Sequence, residues 1–275
     1  MIPRDYITEW RSQVSWTTDA QVEQDLVLSR AIVELFSETK LARSLAFRGA
    51  TALYKLHLRP AARYSEDIDL VQILSEPMGP TLDAIRARLD PWLGTPRRQL
   101  NEGRVILVYR FESEGNPPLP LRLKVEINSR EHFSHFGHVQ VPFQATSRWF
   151  TGQAMVTSFN LDELSGTKLR ALYQRKKGRD LFDLWLLLER KLIDPERAVD
   201  CFCRYMEQGG TPVSRAQFEA NLAEKAEDAA FRNDIKPLLA TNVDYTPDAG
   251  FDVVGRELAA RLPGQPWQGA KLPPG

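Results

Sequence analysis

Val22, Leu26, Ser29, Val33 and Phe36 return at three- and four-residue steps, the spacing that stacks side chains on one face of an α-helix. Thr18 and Asp19 stand just ahead of them, with oxygens suited to the free N–H groups of a first turn. An amphipathic helix is predicted over 19–38. An apolar run at 44–48 (SLAFR) stops at Gly49, and TALYKLHL then sets Leu53, Leu56 and His57 at helical spacing; this reads as strand, tight glycine turn and helix. After Pro60 the pattern becomes alternation. In YSEDIDLVQIL (64–74), Asp67, Asp69 and Val71 fall on one face and Ile68, Leu70 and Gln72 on the other, a strand with two carboxylates side by side. Leu82, Ile85, Leu89 and Trp92 predict a helix between Pro80 and Gly94. GRVILVYRFES (103–113) and LPLRLKVEINS (119–129) read as strands joined by the turn-rich GNPP. In the second strand, Leu121, Leu123, Val125 and Ile127 alternate with Arg122, Lys124, Glu126 and Asn128.

From Leu161 onward the period is helical: Leu161, Leu164, Lys168 and Leu172, then Leu181, Leu184 and Leu188, with weaker helical patterns at 195–208, 214–225 and 247–262. Strands in front and helices behind predict an α+β fold with a mixed-sheet domain over 1–150 and a helical domain over 151–262. The boundary is expected near 145–160. The last segment, 263–275, is rich in proline and glycine without periodicity and is expected to be an extended or mobile tail.

At 275 residues and 43% apolar the chain can bury a sizeable core. Lys plus Arg equals Asp plus Glu at 36 each, so there is no global basic field, and nucleic-acid contact must come from a local patch. KLRALYQRKKGRDLFDL (168–184) is the candidate, with Lys168, Arg170, Arg175, Lys176, Lys177 and Arg179 close together. The two cysteines, Cys201 and Cys203, make neither a disulfide framework nor a zinc motif and fit a reducing cytoplasm. The first residues lack an apolar signal core and no 18-residue apolar run occurs, so a soluble, unsecreted protein is expected.

Three pieces carry chemistry. Same-face neighbours on a strand lie about 6.5–7 Å apart, so Asp67 and Asp69 can grip a pair of divalent cations bridged by a triphosphate. Glu126, on the polar face of a later strand, has the parity to complete a two-metal site for in-line displacement at phosphorus. Magnesium is the default, because the donors are hard oxygens. At the Gly49 turn, the N–H groups of Ala50 and Thr51 can point at phosphate, with the Thr51 hydroxyl as a further donor and Arg48 and Lys55 as neutralising cations. A cation from 168–179 would offset triphosphate charge, oriented by Asp180 or Asp183, while the remaining cations engage an acceptor's phosphates. Ser65 is structural, or places a hydroxyl beside the nucleotide where an added phosphate would oppose triphosphate binding. The plainer readings are a solvated edge strand for the aspartates, a surface pair of Glu126 with Lys124 or Arg122, and a solvated helix face for the basic run. HFSHFGH (132–138) reads as a polar loop rather than a metal site.

FRGATALYKL, RYSEDIDL, KVEIN and the lysine-led KLRALYQRKKGRDLFDL, in that order over residues 47–184, resemble the AbiEii-type nucleotidyltransferase toxins of the DNA polymerase β-like superfamily. The resemblance implies a mixed-sheet catalytic domain followed by a helical domain that contributes basic residues to the active-site cleft. It also implies a type IV toxin–antitoxin context with a winged-helix-type repressor as antitoxin. Relatives include toxins that add pyrimidine nucleotides to the 3′ end of tRNA, which blocks aminoacylation and stops translation. On this chain the resemblance makes Asp67 and Asp69 metal ligands, Lys168 a nucleotide-binding lysine and Asp180 part of the catalytic surface. It departs at Ala50, where the superfamily has a second glycine or a serine, and at RPAA (59–62), which lengthens the link to the aspartates. Alternatives are transfer to a small-molecule or protein acceptor, or a non-catalytic nucleotide- or antitoxin-binding module.

Overall fold

A computed structural model describes residues 2–269. Thr18 caps the first long helix as its position predicts: its Oγ1 accepts from the Gln21 N–H at 3.2 Å and the Gln21 side chain reaches back to the Thr18 N–H at 3.4 Å, a reciprocal capping box. The helices and strands, in chain order, are α1 (Arg4–Trp10), α2 (Asp19–Phe36), α3 (Thr39–Ser44), β1 (Leu45–Arg48), α4 (Gly49–Ala52, continuing into a wider π turn Leu53–His57), β2 (Asp67–Gln72), α5 (Gly79–Leu93), β3 (Arg97–Asn101), β4 (Arg104–Glu112), β5 (Pro120–Asn128), β6 (His138–Thr146) and β7 (Thr151–Phe159). They are followed by α6 (Leu161–Gln174), α7 (Gly178–Glu189), α8 (Pro195–Gln208), α9 (Arg215–Glu227), α10 (Ala229–Asn233) and α11 (Pro247–Glu257).

The seven strands form one mixed sheet in the order β3-β4-β5-β2-β1-β7-β6. β2 runs parallel to β5 and antiparallel to β1, and β1 runs parallel to β7. Alternation decides its two faces. Ile68, Leu70, Leu107, Tyr109, Leu123, Val125 and Ile127 are buried on one side, while the polar positions between them turn to the other. α2 belongs to the same core and is buried even at Glu23, Gln24 and Asp25. Gln24 donates to the backbone oxygen of Arg122 at 2.6 Å, and Glu23 Oε2 accepts from the Glu114 N–H at 3.0 Å, while Glu23 Oε1 is buried without a hydrogen-bond partner.

The chain divides into two units. The first runs through Phe159 and regains Leu239–Asn242, where the Ala240 N–H bonds the Ala62 oxygen at 2.9 Å. The second begins at Asn160, whose side chain accepts from the Asp162 N–H at 2.9 Å and caps α6. The division thus falls at 159/160 rather than 150, because β7 pairs with β1 and β6 and belongs to the sheet. The helical expectation beyond Leu161 is met, with Leu169, Leu172, Leu181, Leu184, Phe202 and Phe218 at the centre of the second core. There Lys225, buried, donates to the Leu172 oxygen, to the Tyr173 oxygen at 3.0 Å and to Asn221 Oδ1 at 2.5 Å. It satisfies carbonyls that the end of α6 leaves open. The expected tail at 263–275 lies outside the described residues from 270 on. No described helix is long and apolar enough to cross a membrane.

Candidate active site

Because β2 and β5 bury their apolar positions on the same side, their acids are forced to the other. The parallel register sets Asp67 beside Lys124 and Asp69 beside Glu126, so all three carboxylates rise from one face of two neighbouring strands. Lys124 sits among them, its Nζ 2.8 Å from Glu126 Oε2 and 3.4 Å from Asp67 Oδ2. Arg104 Nε lies 3.0 Å from Glu126 Oε1. The other oxygen of Asp67, Oδ1, is buried without a hydrogen-bond partner, an arrangement that costs free energy unless a cation or donor meets it.

The electrostatics follow from this crowding. Burial, then the charges of Asp67 and Glu126, push the Asp69 carboxyl up to about 6 against the counter-pull of Arg48 and Lys124. Burial works against the Lys124 ammonium, but its hydrogen bond to Glu126 and the charge of Asp67 outweigh it and hold its pKa above the ordinary lysine value. Burial and the neighbouring Asp67 also raise Glu66, with Arg122 opposing. Among the described residues no three His, Cys, Asp or Glu side chains form a ready metal cage. The donor chemistry nevertheless fits a divalent cation at the aspartates, where bare Asp67 Oδ1 and the strained Asp69 carboxyl both gain from one. Glu126 joins such a site only when the Lys124 ammonium gives way.

β1 delivers the turn. Arg48 pairs with Asp69 in the antiparallel register, and Gly49 follows with φ of +80°, a region that side-chain-bearing residues avoid. A Cβ on Gly49 would stand 2.3 Å from Asp69 Oδ2, so the turn needs glycine twice over. Thr51 is buried and its Oγ1 lies 2.8 Å from Ser65 Oγ; the two hydroxyls tie the start of α4 to the segment before β2. Ala50 lies in the first turn of α4, only partly buried. The Arg48 guanidinium is held by Glu131 at 2.6 Å, on the loop after β5.

Lys55 departs from the expectation. Its ammonium turns to buried Asp25 at 2.7 Å and to Ser29 at 2.9 Å; Asp25 also accepts from the indole N–H groups of Trp10 and Trp16 at 3.0 and 2.8 Å. This network lines a cavity of about 130 Å³ that also reaches Thr51 and Ser65, but none of the three acids lines it.

The basic run of the second unit is also placed differently. The Lys168 ammonium is 3.2 Å from Asp180 and 2.8 Å from Asp183, with both aspartates fully buried. Arg175 grips Asp180 with two bonds of 2.6 and 2.8 Å. Burial pushes the Asp180 carboxyl up, but Lys168 and Arg175 outweigh it and hold it below the ordinary range. Lys176 pairs with Glu224 at 2.5 Å, and Lys177 and Arg179 pair with Asp234 at 3.7 and 2.9 Å. Each of these cations thus has a carboxylate partner within the second unit, while Arg175, Lys176 and Lys177 stay about half exposed. The HFSHFGH segment is a packed loop that leads into β6 at His138: His132 Nδ1 lies 2.9 Å from the Gln72 oxygen, and the His135 and Phe136 ring centres lie 4.4 Å apart with their planes tilted by 45°. Alternation along β5 had already placed Lys124 beside Glu126 on the acid face; its part in the cluster was hidden because charge pairing across strands needs the register.

Residues 30–255 match the family model described as Nucleotidyl transferase AbiEii toxin, Type IV TA system. Among solved structures, the chain is similar to MenT4, a nucleotidyltransferase toxin of Mycobacterium tuberculosis H37Rv, at 16% identity and a TM-score of 0.66 over 94% of this chain and 89% of that one. JHP933 from Helicobacter pylori is similar at 18% identity and a TM-score of 0.54, over 89% and 92% of the two chains. A putative nucleotidyltransferase from H. pylori gives 17% and 0.50 over 89% and 95%. At such identities the likeness is one of fold. No curated protein matches the chain.

Proposed function

The chain belongs to the AbiEii family of nucleotidyl transferase toxins of type IV toxin–antitoxin systems, and from that premise we propose that it is a metal-dependent cytoplasmic enzyme that adds pyrimidine nucleotides from a nucleoside triphosphate to the 3′ end of tRNA. The observation that carries the reading is the side-by-side register of Asp69 and Glu126 with Asp67 on the same face, one oxygen of Asp67 being buried and bare.

In the proposed reaction the 3′-hydroxyl oxygen attacks the α-phosphorus, the bond to the bridging oxygen of the β-phosphate breaks, and pyrophosphate leaves with that electron pair. Asp67 and Asp69 would hold magnesium, which when bound would supply charge neutralisation and make the attacking hydroxyl more acidic. Glu126 is the carboxylate placed to receive the hydroxyl proton or to join the metal site. The Gly49 turn lets the Arg48–Thr51 backbone come close to Asp69 and so to phosphate held there, and Arg48 exchanges Glu131 for a phosphate oxygen. Ser65 braces this turn through Thr51. Lys168 is the proposed nucleotide-binding lysine of the second unit, its ammonium oriented by Asp180 and Asp183. The partner that silences the toxin is a winged-helix-type antitoxin.

The test uses purified protein, Mg²⁺, each labelled triphosphate in turn and total tRNA. CTP or UTP label should enter tRNA, and Asp69→Ala, still folded, should abolish it. Label entering only small molecules or protein, or an active Asp69→Ala, would overturn the reading.

A further inference from the structure

The sheet face that carries the acids continues outward over β5, β4 and β3, and the register shows what it bears. Arg122 of β5 lies opposite Arg110 of β4, Lys124 opposite Val108, Glu126 opposite Ile106 and Asn128 opposite Arg104. Beyond them, Arg97 of β3 lies opposite Val108. The other face of these strands is closed by Leu107, Tyr109, Leu123, Val125 and Ile127, so the arginines share the acids' side and are exposed at Arg97, Arg104, Arg110 and Arg122.

Two features of this face oppose stability. Arg110 and Arg122 are direct cross-strand partners, and like charges so placed weaken a sheet. Arg104 and Lys124 lean on catalytic carboxylates and Arg122 leans on Glu66 at 3.7 Å, whereas among the described residues Arg97 and Arg110 make no ion pair. Glu112 shares the face but stands at the far end of β4, opposite Pro120. The second unit supplies the contrast: Arg175, Lys176, Lys177 and Arg179 each face a carboxylate, Lys177 and Arg179 sharing Asp234. Uncompensated arginines beside a catalytic cluster are a surface awaiting anions.

We propose that the open face of β3, β4 and β5 is the track for the phosphate backbone of the acceptor strand, with Arg97, Arg110 and Arg122 as its phosphate contacts. The assignment rests on the nucleotidyl-transfer reading above and says where that acceptor lies. Three strand spacings of about 4.8 Å separate β2 from β3, so the track spans a few nucleotides leading to Asp67 and Asp69. Arginine suits it, since its planar fork takes phosphate with two bonds and keeps its charge at any working pH.

Binding of labelled tRNA and of a single-stranded oligoribonucleotide is measured by anisotropy over a series of salt concentrations. Arg97→Gln/Arg110→Gln should weaken both at least tenfold and flatten the plot of log affinity against log salt by about 1.4, two contacts at about 0.7 each for a single strand. Lys176→Gln and Arg179→Gln should change affinity less than twofold. Melting separates binding from scaffolding: Arg110→Gln relieves the repulsion with Arg122 and should leave the melting temperature unchanged or higher, where a structural arginine would lower it. Retention of wild-type affinity and salt slope by the double variant overturns the track while leaving nucleotidyl transfer standing. Wild-type protein that binds triphosphate but no RNA overturns the track together with the tRNA acceptor. Competition by poly-glutamate as effective as that by RNA would assign the face to an acidic protein and overturn it as well.

Discussion

Lys124 holds its ammonium 2.8 Å from Glu126 Oε2, two residues along the same strand, and the same ammonium reaches Asp67 at 3.4 Å. It occupies the middle of a cluster whose expected occupant is a divalent ion. Two like charges about 4 Å apart repel by roughly 1 kcal/mol or more even in strongly screened surroundings, so lysine and metal compete for the same oxygens. Lys124→Met should therefore tighten Mn²⁺ binding to the nucleotide-free protein about tenfold, by calorimetric titration. Unchanged or weaker affinity would remove Lys124 from this role.

Asp69 makes a pH prediction for the metal-free protein. Its carboxyl titrates at about 6 in the fold, above the value near 4 of an unfolded chain. The folded state thus holds the proton more tightly; the stability this contributes is full below about pH 4 and is lost as pH rises through about 6, by roughly 3 kcal/mol at most. The melting temperature with a chelator present should fall over that interval in the wild type and fall less in Asp69→Asn. A divalent ion should restore it in the wild type above about pH 6. Parallel pH curves for the two proteins would show that Asp69 is not strained.

The acid cluster was legible because alternation is a local property: Asp67 and Asp69 against Ile68 and Leu70, and Glu126 against Val125 and Ile127, fix each strand's polar face before any pairing is known. What alternation cannot supply is which strands are neighbours, and so the cross-strand links of Lys124 to Asp67 and of Arg104 to Glu126 and the arginine face stayed hidden. β6 and β7 escaped for a different reason. Only Phe143 and Ala145 are deeply buried along β6, and Pro142 interrupts its pattern, which an edge strand tolerates. β3 is exposed at every position and carries no periodic signal. Lys55 and the run 168–179 show what composition leaves out: a cation in sequence says nothing about the carboxylate that folding brings to it, here Asp25 for Lys55 and Glu224 for Lys176.

Gly49→Ala tests the close approach of the turn to Asp69. Left-handed backbone alone costs a residue with a Cβ about 1–2 kcal/mol, and the new methyl would meet Asp69 Oδ2 at 2.3 Å. Asp69 must move, so transfer should drop at least tenfold while the variant melts only a few degrees lower. Wild-type transfer by Gly49→Ala would show that the turn has room to spare.

Lys168 is expected to serve binding and folding at once, and the two can be separated. Its ammonium lies between Asp180 and Asp183, both without solvent exposure, so removing it takes a cation from between two buried carboxylates, and breaking a buried ion pair typically costs about 3–5 kcal/mol. Arg175 also holds Asp180. Lys168→Met alone should lower stability by several kcal/mol in urea unfolding, in line with that range, and inactivate the enzyme, a result open to either explanation. Lys168→Met/Asp183→Asn removes one of the two buried carboxylate charges as well and should regain most of the lost stability. If Lys168 binds triphosphate, the double variant stays inactive and its affinity for nucleotide remains at least tenfold weaker. Recovery of transfer along with stability would make Lys168 a part of the scaffold alone.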